Sequence, residues 1–233
     1  MILAVKEDFT DLKKIKENWD WQYPWGTGEG KLGVYSKYKN IWIEEDGLHM
    51  CCSKDLKHNF LMPRLFWNGK APMGYGKYTT KMTVSIQQSV NTFTIYSAVH
   101  YMKAVRTILP EIDVAEYSVR TDPNKLNVAV HQWTRNPSFV NSPSYNDIDL
   151  RHHLDYIGHK QKCKQIAWNG LVHEHSCEIT PRCCRIFLDD VKVLSVRGKF
   201  YPAFNPTFGQ TLPDWQIFPE YKPTIIHSFT FEQ

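Results

Sequence analysis

Most of this chain consists of short runs in which apolar and polar residues alternate, cut by Gly, Pro, Asn and Asp. Examples are "NIWIEEDGLHMCC", "YGKYTTKMTVSI", "NTFTIYSAVHYM", "EIDVAEYSV", "KLNVAVHQW", "EHSCEITPRCCRIFLDDVKVLSV" and "TIIHSFTFEQ". A period of two is that of a half-buried β-strand. Helical periodicity is scarce; "DFTDLKKIKENW" predicts a turn or two of helix. "LDDVKVL" predicts two strands joined at a tight turn through Asp189 and Asp190. No internal repeat, low-complexity stretch or linker divides the 233 residues. The pattern therefore predicts one all-β domain over residues 1–233. Its architecture is a β-sandwich jelly roll of two stacked antiparallel sheets.

Composition narrows the function classes. Hydrophobic residues make up 42% of the chain, enough for a real core, and aromatics reach 14%. Aromatic-rich surfaces stack against sugars or bases. A net charge of +4, scattered along the chain, is too weak to argue for nucleic acid. It would suit an anionic polymer such as a sulfated glycan. The N-terminal apolar run, about five residues, is shorter than a signal h-region. No stretch reaches the length of a membrane span. The expectation is a soluble monomer with no nucleic-acid or membrane partner, either intracellular or missing its leader.

Six cysteines occur, at 51, 52, 163, 177, 183 and 184. Two adjacent pairs do not resemble the spaced framework of a disulfide-rich domain, so free thiols are expected. Cys163, His173, His175, Cys177 and Cys183 raise the question of zinc. They contain no Cys-x-x-Cys unit, and "HEHSCEI" alternates like a strand, which argues against a metal centre.

The stretch with the strongest chemical content is "PEIDVAEY", Pro110 to Tyr117. It carries Glu111, Asp113 and Glu116, separated by apolar Ile112, Val114 and Ala115. On a regular strand Glu111 and Asp113 share a face, and Ala115 rather than Glu116 would join them. One extra residue, a β-bulge, returns Glu116 to that face. Three like charges on one face cost stability through repulsion and desolvation, which a purely structural strand has no need to bear. Two glutamates so placed can approach the separation of about 5–5.5 Å used by retaining glycosidases.

The run Glu111-Ile112-Asp113-Val114-Ala115-Glu116 resembles the E-x-D-x-x-E signature of family-16 glycoside hydrolases, laminarinase-like and agarase-like enzymes on a concanavalin-type jelly roll. Weaker likenesses follow in chain order: "EDFTDLKKIKENW" resembles the family's opening, "GYGKYTTKMTV" the strand before the catalytic one, "HEHSCEITPRCCRIFLDDVKV" a later hairpin, "FNPTFGQ" an Asn segment ending in Gly-Gly, and "TIIHSFTFEQ" the final strand.

The resemblance implies a concave substrate cleft and a double displacement. Glu111 would be the nucleophile, Glu116 the general acid and then base, and Asp113 a hydrogen-bonding partner that tunes their protons. It implies a site role for His131 near the acid/base, for Asn205, and for Trp215 after the glycines. Trp133 shares a strand face with His131, where it would either stack on sugar or enter the core. Trp67, in the Gly/Pro-rich "LFWNGKAPMGYG", is expected in an exposed loop that binds substrate.

The chain also departs from the family pattern. No Trp precedes the acid motif, Tyr96 stands for a strand Trp, and Ile179 for the Trp of "EWTP". His227 stands where the last strand often carries an Asp that binds structural calcium, so no cofactor is expected.

The function implied is a retaining endo-β-glycanase acting on a polysaccharide, with β-1,3- or mixed-linkage glucan first. The alternatives are an algal galactan hydrolase of agarase, porphyranase or carrageenase type, a particle- or phage-borne depolymerase, and a non-catalytic carbohydrate-binding jelly roll. Such substrates make extracellular or particle-associated action plausible.

Overall fold

The computed structural model describes residues 2–20, 34–36, 40–54, 60–68, 73–84, 90–97, 108–118, 125–135, 154–165, 170–200, 204–211 and 222–233. These form β1 (Leu3–Glu7), α1 (Leu12–Asn18), β2 (Trp19–Asp20), β3 (Val34–Ser36), β4 (Ile41–Glu44), β5 (Gly47–Met50), β6 (Ser53–Lys54), β7 (Phe60–Trp67) and β8 (Gly76–Thr83). There follow β9 (Val90–Ser97), β10 (Ile108–Ser118), β11 (Lys125–Arg135), β12 (Leu154–Gln165), β13 (His173–Thr180), β14 (Cys183–Leu188), β15 (Val191–Arg197), β16 (Phe204–Thr211) and β17 (Thr224–Glu232). One sheet runs β15-β14-β13-β8-β17-β5-β4, with β1 against β17. The other runs β12-β11-β10-β9-β16-β7-β2, with β3 and β6 against β7. Among the described residues every pairing is antiparallel except β3 with β7. This is the predicted two-sheet sandwich.

The sheets bury one face each against the other, as period-two alternation requires. Phe93, Ile112, Val128, Val130, Phe204 and Phe208 from one sheet enter a single core with Tyr78, Ile179, Ile186 and Phe229 from the other. Ring contacts cross between sheets: Phe229 lies 6.3 Å from Phe93, 6.1 Å from Phe208 and 5.4 Å from Trp19. The predicted helix is α1, capped by Asp11, whose carboxylate accepts from the amides of Lys13 and Lys14. It drops Ile15 into the core and leads directly into Trp19.

The predicted Asp189-Asp190 turn joins β14 to β15 with φ of 47° and 61°. Positive φ at both positions is what a tight hairpin following the strand twist demands, and Asp tolerates it. At Gly76, φ is +155° and a Cβ would stand 2.1 Å from the Glu232 carbonyl. Only glycine lets β8 begin so close to the last strand.

The thiols of Cys51, Cys52, Cys177, Cys183 and Cys184 are free; the Cys163 side chain lies outside the described residues. Cys177 and Cys184 face each other in the core with sulfurs 3.4 Å apart. The residues considered for zinc take separate partners. His175 bonds the Tyr117 hydroxyl at 3.2 Å, and His173 bonds Asp189 at 2.8 Å.

Candidate active site

Strand β10 carries the acids at the centre of its sheet, between β9 and β11. Glu111 pairs with Tyr96 and His131, and Asp113 with Thr94 and Ala129. The register then shifts: Glu116 pairs with Thr92 and Asn127, so Val114 and Ala115 together oppose Val128. This is a β-bulge where the parity of the acids requires one. Both bulge side chains are fully buried in the core. Glu116 consequently returns to the face of Glu111 and Asp113, the face turned away from the other sheet.

Adjacent strands complete this face. On β9, Thr92, Thr94 and Tyr96 alternate with buried Phe93 and Ile95. The Thr94 hydroxyl donates to Asp113 Oδ1 at 3.1 Å, and His131 Nε2 bonds Asp113 Oδ2 at 3.0 Å. Asp113 is thus clamped on both oxygens, with 8% of its surface exposed. Asn205 pairs with Tyr96, which pairs with Glu111, so all three stand in one row across the sheet. Arg64 reaches the Tyr96 hydroxyl at 3.1 Å. It crosses Gly209, where a Cβ would stand 3.7 Å from Arg64 Cγ and 3.1 Å from the Thr92 hydroxyl. Thr94, Tyr96 and Arg64 were not singled out from sequence as site residues. The alternation of "NTFTIYS" shows that Thr94 and Tyr96 share a face, but only the sheet order puts that face beside the acids.

The electrostatics separate the carboxyls. Glu116 is pushed up to about 7, first by burial and then by the charge of Asp113; His131 opposes this, and the charge of Glu111 adds the smallest push. His131 is raised, chiefly by its hydrogen bond to Asp113 and against the cost of its burial. A carboxyl that holds its proton near neutral pH beside a fixed negative charge can act as a general acid.

The remaining candidates divide. The Trp133 backbone pairs with Leu109 on β10, and its side chain lies outside the described residues. Trp215 lies outside the described residues. Trp67 corrects the sequence reading. It ends strand β7, pairs with Trp19 across the ladder, and packs edge-on against the Trp19 ring at 5.3 Å. It is 8% exposed and belongs to the core, because its parity matches Leu65 rather than Arg64.

His227 does not suit a calcium site. One ring nitrogen bonds the Asp46 carbonyl at 2.6 Å and the other the Thr83 hydroxyl at 2.9 Å, where a hard cation would need oxygen donors. Glu44, Asp46 and His49 form one grouping of metal-ligating side chains among the described residues, on the opposite sheet from the acids. His49 there already pairs with Asp46 at 2.7 Å.

Fold and site together define a jelly-roll protein with the fold of family-16 glycoside hydrolases. The chain is similar to a laminarinase from Flavobacterium sp. UMI-01 with a TM-score of 0.72 at 15% identity, over 99% of this chain and 100% of that one. A glycoside hydrolase family 16 endo-glucanase from Bacteroides ovatus gives 0.69 at 14% identity, over 98% and 99%. The kappa-carrageenase of Pseudoalteromonas carrageenovora gives 0.70 at 14% identity, over 99% and 94%. No family model and no curated protein matches the sequence.

Proposed function

We propose that this protein is a retaining endo-β-glycanase that cleaves a β-linked polysaccharide by double displacement. The observation that carries this is the bulge at Val114–Ala115, which sets Glu116 on the face of Glu111 and Asp113 while burial lifts its proton affinity to about 7. In the first step the Glu111 carboxylate attacks the anomeric carbon. The glycosidic C–O bond breaks, and Glu116 gives its proton to the departing oxygen. In the second, ionised Glu116 takes a proton from water as the water oxygen attacks the same carbon, releasing Glu111. Asp113, held by Thr94 and His131, keeps a negative charge beside Glu116 and so favours the protonated acid that the first step consumes.

The substrate favoured is a glucan with β-1,3 or mixed linkages, since the six-residue acid motif with its bulge has the laminarinase-like form. A galactan is the second reading, favoured by the comparable likeness to the carrageenase fold. The protein acts as a monomer. Reducing-end release from laminarin, lichenan, agarose, porphyran and carrageenan tests both readings. Cleavage of one polymer, abolished in Glu111→Gln while binding to that polymer persists, is the outcome expected. Binding without cleavage of any of them would make the acids part of a non-catalytic lectin-like face.

A further inference from the structure

The bulge that turns Glu116 toward the cleft has the opposite effect on the next residue. On a regular strand Tyr117 would share the face of Asp113. Past the bulge it faces the other sheet, with 4% of its surface exposed. There its hydroxyl and His175 Nε2, on β13, share a buried hydrogen bond of 3.2 Å. The two rings meet edge to face, with 5.5 Å between centroids and 81° between planes. β10 and β13 belong to different sheets, so this bond crosses the core. His175 is fully buried, and its Nδ1 has no hydrogen-bond partner among the described residues. Its proton affinity is held down to about 3, mainly by burial and then by His173, against Asp189. The ring is therefore neutral wherever Glu116 titrates. A buried nitrogen without a partner costs stability that an apolar side chain would not cost, so packing alone does not account for a histidine here.

We propose that Tyr117 and His175 are positioning residues: their bond pins the acid strand to the opposite sheet just past the bulge, and so fixes where the Glu116 carboxyl stands over the cleft. The inference rests on the hydrolase reading for the task of Glu116 and adds to it two residues that touch no substrate. A bulge needs such a device. Val114 and Ala115 together face Val128, so the ladder is broken just before Glu116. Beneath the break, Val114 and Ala115 make only apolar contacts, which are non-directional. The Tyr117–His175 bond is directional, and it acts one residue along the chain from Glu116. A shift of Tyr117 therefore carries the Glu116 backbone with it. Tyrosine suits the task because its ring spans much of the gap of about 10 Å between sheets and ends in a polar group. A neutral imidazole suits it because the bond does not change as Glu116 gains and loses its proton. The charges that face Glu116 remain Asp113, Glu111 and His131.

The test compares the wild type with Tyr117→Phe, His175→Leu and His175→Gln. Ile186→Val, which loosens the same core without removing a hydrogen bond, is the control. Two quantities are read. One is kcat and KM on whichever polysaccharide of the panel the wild type cuts. The other is the titration midpoint of Glu116, followed by carbon NMR of carboxyl-labelled glutamate, its signal identified by its loss in Glu116→Gln. Tyr117→Phe is expected to lower kcat roughly tenfold or more with KM little changed, since a misplaced general acid loses rate rather than binding. Its Glu116 midpoint should fall from about 7 toward the ordinary 4.5, because a loosened strand admits water to the carboxyl. His175→Leu should do the same, His175→Gln should restore both by keeping a polar group at similar reach, and Ile186→Val should move neither. An unmoved midpoint or an unchanged kcat in Tyr117→Phe overturns the proposal. So does a His175→Gln as damaging as His175→Leu, or an Ile186→Val as damaging as Tyr117→Phe, which would assign the effect to core packing. Should His175→Leu not fold, Tyr117→Phe, which keeps the ring, decides alone. Should no polysaccharide be cut, the hydrolase reading fails by itself, and the midpoint then decides the positioning: a fall in Tyr117→Phe supports it, and no change overturns it.

Discussion

His131 Nε2 and Asp113 Oδ2 stand 3.0 Å apart on neighbouring strands, and this bond ties the acid strand to the strand beside it. It raises the proton affinity of His131 and holds the Asp113 carboxylate where its charge acts on Glu116. The pair therefore links the register of two strands to the protonation of the acid/base.

The first consequence is a pH profile. Glu116 must be protonated for the first step, so kcat/KM should fall as pH rises through about 7. Asp113→Asn removes the larger of the two neighbouring charges that lift Glu116. The alkaline limb should then move to lower pH, and activity at neutral pH should fall about tenfold or more. Initial rates between pH 4 and 9 on the cleaved polysaccharide measure both. An alkaline limb that stays in place would separate it from Glu116.

Removing each glutamate should leave a different stereochemical trace. With an activated aryl glycoside and added azide, Glu116→Ala should give a glycosyl azide of retained configuration, because azide replaces water in the second step. Glu111→Ala should give the inverted product, because azide enters the space left by the nucleophile. Anomeric couplings in the NMR spectrum of the product distinguish the two. The same configuration from both variants would reverse or abolish the assigned roles.

Glu116 also costs the fold something when it ionises. Its folded pKa, about 7, lies above the ordinary 4.5. Its contribution to stability is thus present in full below about 4.5 and is lost as pH rises through about 7. Each pH unit of that difference is worth about 1.4 kcal/mol, so the loss is on the order of 3 kcal/mol. Glu116→Gln, which cannot ionise, should be more stable than the wild type at pH 8 by more than at pH 5. Thermal unfolding at the two pH values reads this difference directly.

The cysteines give a count and a contrast. Titration of denatured, unreduced protein should find close to six thiols. In the folded protein most should react slowly. Burial raises the Cys51 thiol to about 11 and pushes Cys52 and Cys177 well above the ordinary thiol value, so little nucleophilic thiolate is present near neutral pH. A count of two or fewer after denaturation would show bridges instead.

Local pattern carried much of the chemistry. Strand parity is a property of neighbouring residues, so the mismatch between Asp113 and Glu116 was visible in "EIDVAEY" as the need for a bulge. The Asp189-Asp190 hairpin was visible for the same reason, since the turn and its two flanking runs lie within a few residues. Pairing between distant strands is not local, and it decided the rest. Thr94 and His131 became the two partners of Asp113 only because β9 and β11 flank β10 in the chosen register. Trp67 reads as a loop residue among Gly and Pro, yet pairing with Trp19, far earlier in the chain, extends the strand and turns its ring into the core. The proton affinity of Glu116 likewise depends on burial and on charges brought beside it, which exist only once the sheet has closed around the acids.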